Sequence, residues 1–163
     1  MRAAKAVRRL PDTSLIQIVH MGKAIDNTYR DVAVEEMSQN ARYHWVGEVP
    51  RWQVRQEMAR ARAMVISSRQ EGGANVVSEA IMAGLPVIAS KINGNVGLLG
   101  ADYQGYFPTE DTLALAKLLM RLETDKEFFR ALSAQVRALR PEFTEKRELA
   151  AWKSLLASLN QGA

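Results

Sequence analysis

Four short apolar runs, each stopped by a glycine or a polar turn and separated by spans of helical length, constrain this chain more than any other feature of it. Ser14 to Met21 (SLIQIVHM) ends at Gly22, and Arg42 to Val46 ends at Gly47. Ala63 to Ser67 (AMVIS) runs into a polar turn, and Pro86 to Ser90 (PVIAS) into a glycine-rich stretch. Their length and β-branched content predict buried strands. Between them, Asp26 is placed to cap a helix reaching about Asn40, Pro50 to open one reaching Arg62, and Asn75 to Ala83 forms a third that Gly84 stops. A loop from Lys91 to Gly100, a short strand at Tyr106 to Phe107, and helices near Thr112 to Leu122, Lys126 to Leu139 and Pro141 to Leu159 complete the reading.

The runs are continuously apolar rather than alternating, as in strands covered on both faces, and strands that alternate with helices build a parallel sheet. The predicted fold is therefore α/β, a Rossmann-like doubly wound parallel sheet. Ligands of such sheets bind beyond the carboxyl ends of the strands, so the turns after Met21, Val46, Ser67 and Ser90 are where function is sought. The length of 163 residues suits one domain, expected over residues 13–163, with residues 1–12 as a basic linker or terminal helix. The last helix carries Leu149, Trp152, Leu155, Leu156 and Leu159 as a single apolar stripe. Ordinary core packing is the first expectation for it, and cover for a second domain or subunit is the alternative.

Composition removes several classes of function. The net charge of +4 would raise nucleic acid as a partner, but Arg2, Lys5, Arg8 and Arg9 account for it, and the rest of the chain balances at 18 acidic and 18 basic residues. A local block of like charge is usually a solvated segment, so no nucleic-acid partner is expected. No cysteine is present, which excludes disulfides, thiolate metal sites and thiol nucleophiles and fits a cytoplasmic location. No run approaches the roughly 20 residues of a membrane span, and no secretory signal is expected.

Chemistry-bearing motifs are few. The chain has no Walker phosphate loop, no H-E-x-x-H and no D-x-D, and Gly94, Gly97 and Gly100 do not have dinucleotide spacing. His20 and His44 lie on different predicted strands and are expected to be structural. Ser67 and Ser68 lack a nucleophile-elbow context. The informative segment is Ser67 to Ser90, in which a strand enters a turn with adjacent glycines and the turn opens a helix. Free N–H groups and the positive end of the helix dipole there attract an anion such as a diphosphate. Glu71 in the turn and Glu79 one turn into the helix can face the same mouth, and carboxylates hold paired hydroxyls, so a sugar and a ribose fit them. Spacing alone leaves an equal alternative, with Glu79 a dipole-favoured surface residue and Gly72-Gly73 a simple turn.

This segment resembles the donor-binding motif of retaining glycosyltransferases of the GT-B fold, family 4, in which E-x7-E is followed by A-x-G-x-P-V-I-A. Glu71 and Glu79 keep the spacing, and Ala83 to Ala89 keeps the lead into the strand. The resemblance implies a C-terminal donor domain that binds a UDP-sugar, with an N-terminal acceptor domain as its missing partner. It implies Glu71 as the catalytic candidate contacting the donor sugar, and Glu79 on the ribose. The backbone of Gly72, Gly73 and Ala74, with Asn75 at the helix start, would meet sugar and diphosphate, and Gly47, Glu48 and Val49 would lie beside the base. Lys23 is the candidate for diphosphate charge and Arg69 a second. Asn95 stands where the family has glycine, and either donates a hydrogen bond to the donor or turns the chain. No metal and no cofactor is expected. EGGANVVSEAI together with NGNVGLLGADYQGYFP is similar more narrowly to the selenosugar synthases of selenoneine biosynthesis, which implies selenophosphate as acceptor. A stand-alone nucleotide-binding module, or a GT-B epimerase or phosphorylase, are the rival readings.

Overall fold

The structure, a computed structural model, describes residues 1–72 and 74–160, without the side chains of 158–160. Five strands alternate with helices: α1 (Arg2–Val7), β1 (Ile18–Met21), α2 (Asn27–Gln39), β2 (Tyr43–Gly47), α3 (Arg51–Arg60), β3 (Met64–Ile66), α4 (Asn75–Ala83), β4 (Val87–Ser90), α5 (Asn93–Leu99), β5 (Tyr106–Phe107), α6 (Thr112–Thr124) and α7 (Lys126–Leu139). A 3₁₀ turn (Arg140–Phe143) leads to α8 (Glu145–Asn160). Side-chain carboxylates start three of the helices. Asp26 accepts from the Tyr29 amide at 2.9 Å, Asp111 from Ala114 at 2.8 Å and Asp125 from Phe128 at 2.9 Å, each satisfying an amide that the first turn leaves without a partner. Gly84 ends α4 in the left-handed region, φ 71°, where a side chain would be strained.

All ladders are parallel, as expected of a Rossmann-like α/β domain: Ile18 pairs with Tyr43, Met64 with Val87, and Ala89 with Tyr106. All four residues of β4 are buried, and because alternate residues face opposite sides, both faces of that strand are covered. Helix α4 packs on β4 through Val77 and Ile81, and α6 through Leu115 and Leu119, all at 2% exposure or less. This is the core that fixes the carboxyl ends of β3 and β4.

Several expectations change. The ladders form two sheets, β1-β2 and β3-β4-β5, instead of one. The first strand begins at Ile18 and is half open, with Val19 45% exposed, because β1 has a neighbour on one side only. The stretch Lys91 to Gly100 is not a loop but carries α5, whose Asn95 and Leu99 are buried, so tertiary packing overrides the low helix propensity of its glycines. The basic segment is a terminal helix: α1 buries Ala4, Ala6 and Val7 against α6, Arg2 and Arg8 pair with Glu110 and Glu36, and Lys5, Arg8 and Arg9 are exposed. The α8 stripe does not pack in the core, since Leu149, Trp152, Leu155 and Leu156 are each at least 50% exposed; the side chain of Leu159 lies outside the described residues.

Candidate functional site

The turn between β3 and α4 is built by hydrogen bonds that cross between strands. Ser90 Oγ, at the end of β4, donates to the carbonyl of Ser68 at 2.7 Å, and Ser68 Oγ donates to Glu71 Oε1 at 2.7 Å. The turn is thereby tied to the core strand, and the partly buried Glu71 is held at its lip. Gly94 of α5 completes the support: a Cβ there would stand 2.2 Å from the Glu71 carbonyl oxygen. Only glycine lets α5 approach the turn so closely.

Helix α4 then begins without a side-chain cap and without an acidic residue in its first turn. Ala74 is buried just before it, Gly72 and Asn75 are exposed, and Gly73 lies outside the described residues. Among the described residues, the amides of Asn75 and Val76 have no partner, so the positive helix end faces outward. Glu79, four residues on, pairs with the Arg51 guanidinium at 2.5 Å, with 27% of its side chain exposed. Arg51 opens α3 directly after Val49 and Pro50, so this pair brings the turn after β2 up to α4. Arg51, Asn75 and Glu79, with Arg147 and Ser154 of α8, line a groove of about 1530 Å³.

Most of the sequence-derived residues fall into two groups. Glu71, Gly72, Ala74, Asn75 and Glu79 surround the start of α4. Lys23, Gly47 and Val49 lie at the ends of β1 and β2, where the Gly22 amide donates to the Gly47 carbonyl at 2.8 Å, and Arg51 links this rim to Glu79. Asn95 belongs to the interior: it is fully buried, and its Nδ2 donates to the Ser90 carbonyl at 2.8 Å, which ties β4 to α5. Arg69 pairs with Glu110 at 2.6 Å. His20 Nδ1 lies 2.6 Å from Tyr43 Oη. Lost hydration pushes the His20 pKa down, and burial pushes Tyr43 up to about 12. Among the described residues, no three His, Asp or Glu side chains cluster closely enough to hold a metal ion, and no helix is long and apolar enough to cross a membrane.

Arg51 was not singled out from sequence, and Ser68 and Gly94 were named there without these supporting roles. Ser68 had a local signal, the three-residue spacing from Glu71 that allows a side-chain bond within one turn. Arg51 acts across the tertiary structure and had none, and Gly94, which also acts across it, was marked only by its place in the family's glycine pair.

Parallel β/α units, a helix start left open at the strand ends and two carboxylates beside it define the class: a Rossmann-like domain of the GT-B type. Residues 2–138 match the model of the family described as glycosyl transferases group 1, and the chain belongs to that family. Among solved structures it is similar to Anabaena HepE in complex with UDP-glucose, at a TM-score of 0.79 and 18% identity over 96% of this chain and 44% of that one. Sucrose-phosphate synthase from Thermosynechococcus elongatus is similar at 0.81 and 22%, over 99% and 42%. TarM from S. aureus, in complex with UDP among other ligands, is similar at 0.75 and 15%, over 94% and 31%. The chain spans less than half the length of these proteins. Comparison with the curated proteins gave no match.

Proposed function

We propose that this chain is the donor half of a glycosyltransferase and binds a UDP-sugar at the start of α4. The observation that carries the reading is the uncapped, acid-free N-terminus of α4 between Glu71 and Glu79. Its amides suit the diphosphate, while the flanking carboxylates are acceptors and suit hydroxyls on either side of it. Binding of UDP-containing ligands by HepE and TarM supports the choice of nucleotide. The exposed pair of Glu79 and Arg51 is worth no more than about 1 kcal/mol, so a ribose diol displaces it at little cost. In transfer, the bond between the anomeric carbon and the β-phosphate oxygen breaks, the diphosphate leaves with that electron pair, the anomeric carbon bonds to an acceptor atom through the acceptor's own electron pair, and the α4 amides stabilise the charge on the diphosphate. Glu71 orients the sugar from the opposite side.

The exposed stripe of Leu149, Trp152 and Leu156 favours a partner domain over a self-sufficient module. That domain supplies the acceptor site, so the 163-residue chain binds donor and transfers little. The narrower acceptor, selenophosphate, rests on the two sequence segments alone and is tested by adding it to the reunited domains. Titration calorimetry with UDP, UDP-glucose and UDP-N-acetylglucosamine tests the donor reading. Loss of charge-assisted hydrogen bonds in Glu79→Ala weakens all three ligands by on the order of tenfold or more, and Glu71→Ala weakens only the two sugars by a similar factor. Unchanged binding in both variants refutes the assignment.

A further inference from the structure

Arg51 opens α3 with 78% of its side chain exposed, and among the described residues Glu79 is the one ion-pair partner of its guanidinium. Its Nη2 donates to Glu79 Oε1 at 2.5 Å. Glu79 stands one turn after Asn75, the first residue of α4, which is about 6 Å along the helix axis. Side chains of a helix lean toward its N-terminus, so the Glu79 carboxylate and the guanidinium on it lie alongside that first turn. Arg51, Asn75, Ser78 and Glu79 line the same groove. A cation is thus held on a carboxylate beside the unpartnered amides of Asn75 and Val76.

A diphosphate that bridges nucleoside and sugar carries a negative charge on each phosphate, and the positive end of a helix offsets roughly half of one. The remainder calls for a side-chain cation. Arg69, in the turn after β3, is 2.6 Å from Glu110, a carboxylate that also takes Arg2 at 3.4 Å. Lys23 belongs to the turn after β1, and Arg55 lines the groove one turn further along α3. Arg51 differs from these in its partner, which is the carboxylate proposed to take the ribose hydroxyls. Ribose binding and release of the Arg51 guanidinium are therefore one event. A guanidinium is a planar fork of donors that matches phosphate oxygens as well as a carboxylate, so the freed group can exchange one oxyanion for another within the groove.

We infer, resting on the donor reading, that Arg51 binds the diphosphate by a partner exchange: the ribose hydroxyls take Glu79, and the guanidinium passes from Glu79 to the phosphate oxygens. The exchange has a signature. Toward uridine, which has the ribose and no phosphate, Arg51 is only a competitor for Glu79. Toward UDP it is a competitor that becomes a contact. Removing Arg51 therefore weakens UDP and does not weaken uridine.

Titrations of the 163-residue chain and of its Arg51→Gln, Arg51→Lys and Arg55→Gln variants test this, by calorimetry for UDP and by NMR shift changes for uridine. Arg51→Gln weakens UDP by on the order of tenfold, as loss of a charge-assisted contact does. It leaves uridine as tight as before or tightens it by up to about fivefold, the most that release from an exposed ion pair returns. Arg51→Lys keeps the charge and holds UDP within about threefold of the parent, and Arg55→Gln holds it within about twofold. Arg51→Gln that leaves UDP unchanged or tighter, or weakens uridine as much as UDP, overturns the exchange. Failure of Arg51→Lys to restore UDP overturns it too, as does an equal loss in Arg55→Gln, which assigns the effect to the field of the whole groove. Any of these results with a parent chain that binds UDP refutes the role of Arg51 alone. A parent chain that binds neither UDP nor uridine refutes the donor reading and the exchange with it.

Discussion

Replacing Gly94 by alanine separates two forces that act on α5 with opposite sign. Helix propensity alone favours the change, since glycine in a helix interior costs about 1 kcal/mol relative to alanine. The structure opposes it: the new Cβ would lie 2.2 Å from the Glu71 carbonyl oxygen, 2.9 Å from its carbon and 3.3 Å from its Cβ. The obstacle is backbone, not the end of a flexible side chain, so the Glu71 turn must retreat by about 1 Å or α5 must tilt, at an overpacking cost of about 1–3 kcal/mol. Gly97, on the same helix, meets nothing within 4 Å and serves as the internal control. Thermal melts should show Gly97→Ala raising Tm by about 1–4 °C and Gly94→Ala lowering it by about 3–6 °C. Calorimetry adds the functional arm. Moving Glu71 should weaken UDP-glucose by on the order of tenfold and leave UDP within about twofold, because only the sugar depends on that carboxylate. A Gly94→Ala protein that melts at or above the parent temperature would refute the claim that α5 holds the turn.

Two further predictions concern the frame around the site. Tyr103 Oη accepts from the buried Val87 amide at 2.9 Å and donates to the Val87 carbonyl at 2.7 Å, replacing the strand residue that the two-residue β5 does not reach. Tyr103→Phe strands both groups at a cost of about 2–4 kcal/mol, read as a Tm loss on the order of 5–12 °C, and a loss under about 2 °C would show the hydroxyl dispensable. The His20 pKa is lowered from 6.5, first by lost hydration and then by the α-amino group of Met1. The unfolded chain therefore takes up a proton that the folded chain refuses, so stability present above pH 6.5 declines as pH falls below it. Melts at pH 7.5 and 5.5 should show this decline flattened in His20→Gln, and an unaltered decline would remove His20 as its source.

The stretch from β3 to β4 was legible because everything that shapes it is local. The apolar runs at Met64 and Val87, the turn glycines, the helical spacing of Val77, Ala80 and Ile81 and the stop at Gly84 all lie within one βαβ unit. What misled lay outside the reach of local pattern. Two glycines in α5 read as loop because propensity counts residues, not neighbours, whereas Gly94 is required by a carbonyl from another segment. The packing of α1 went unread because Ala4, Ala6 and Val7 form a buried face too short to register as a stripe, while its exposed charges dominate the segment. Arg51 carried no signal, because its partner Glu79 is 28 positions away and is reached only when the turn after β2 folds against α4.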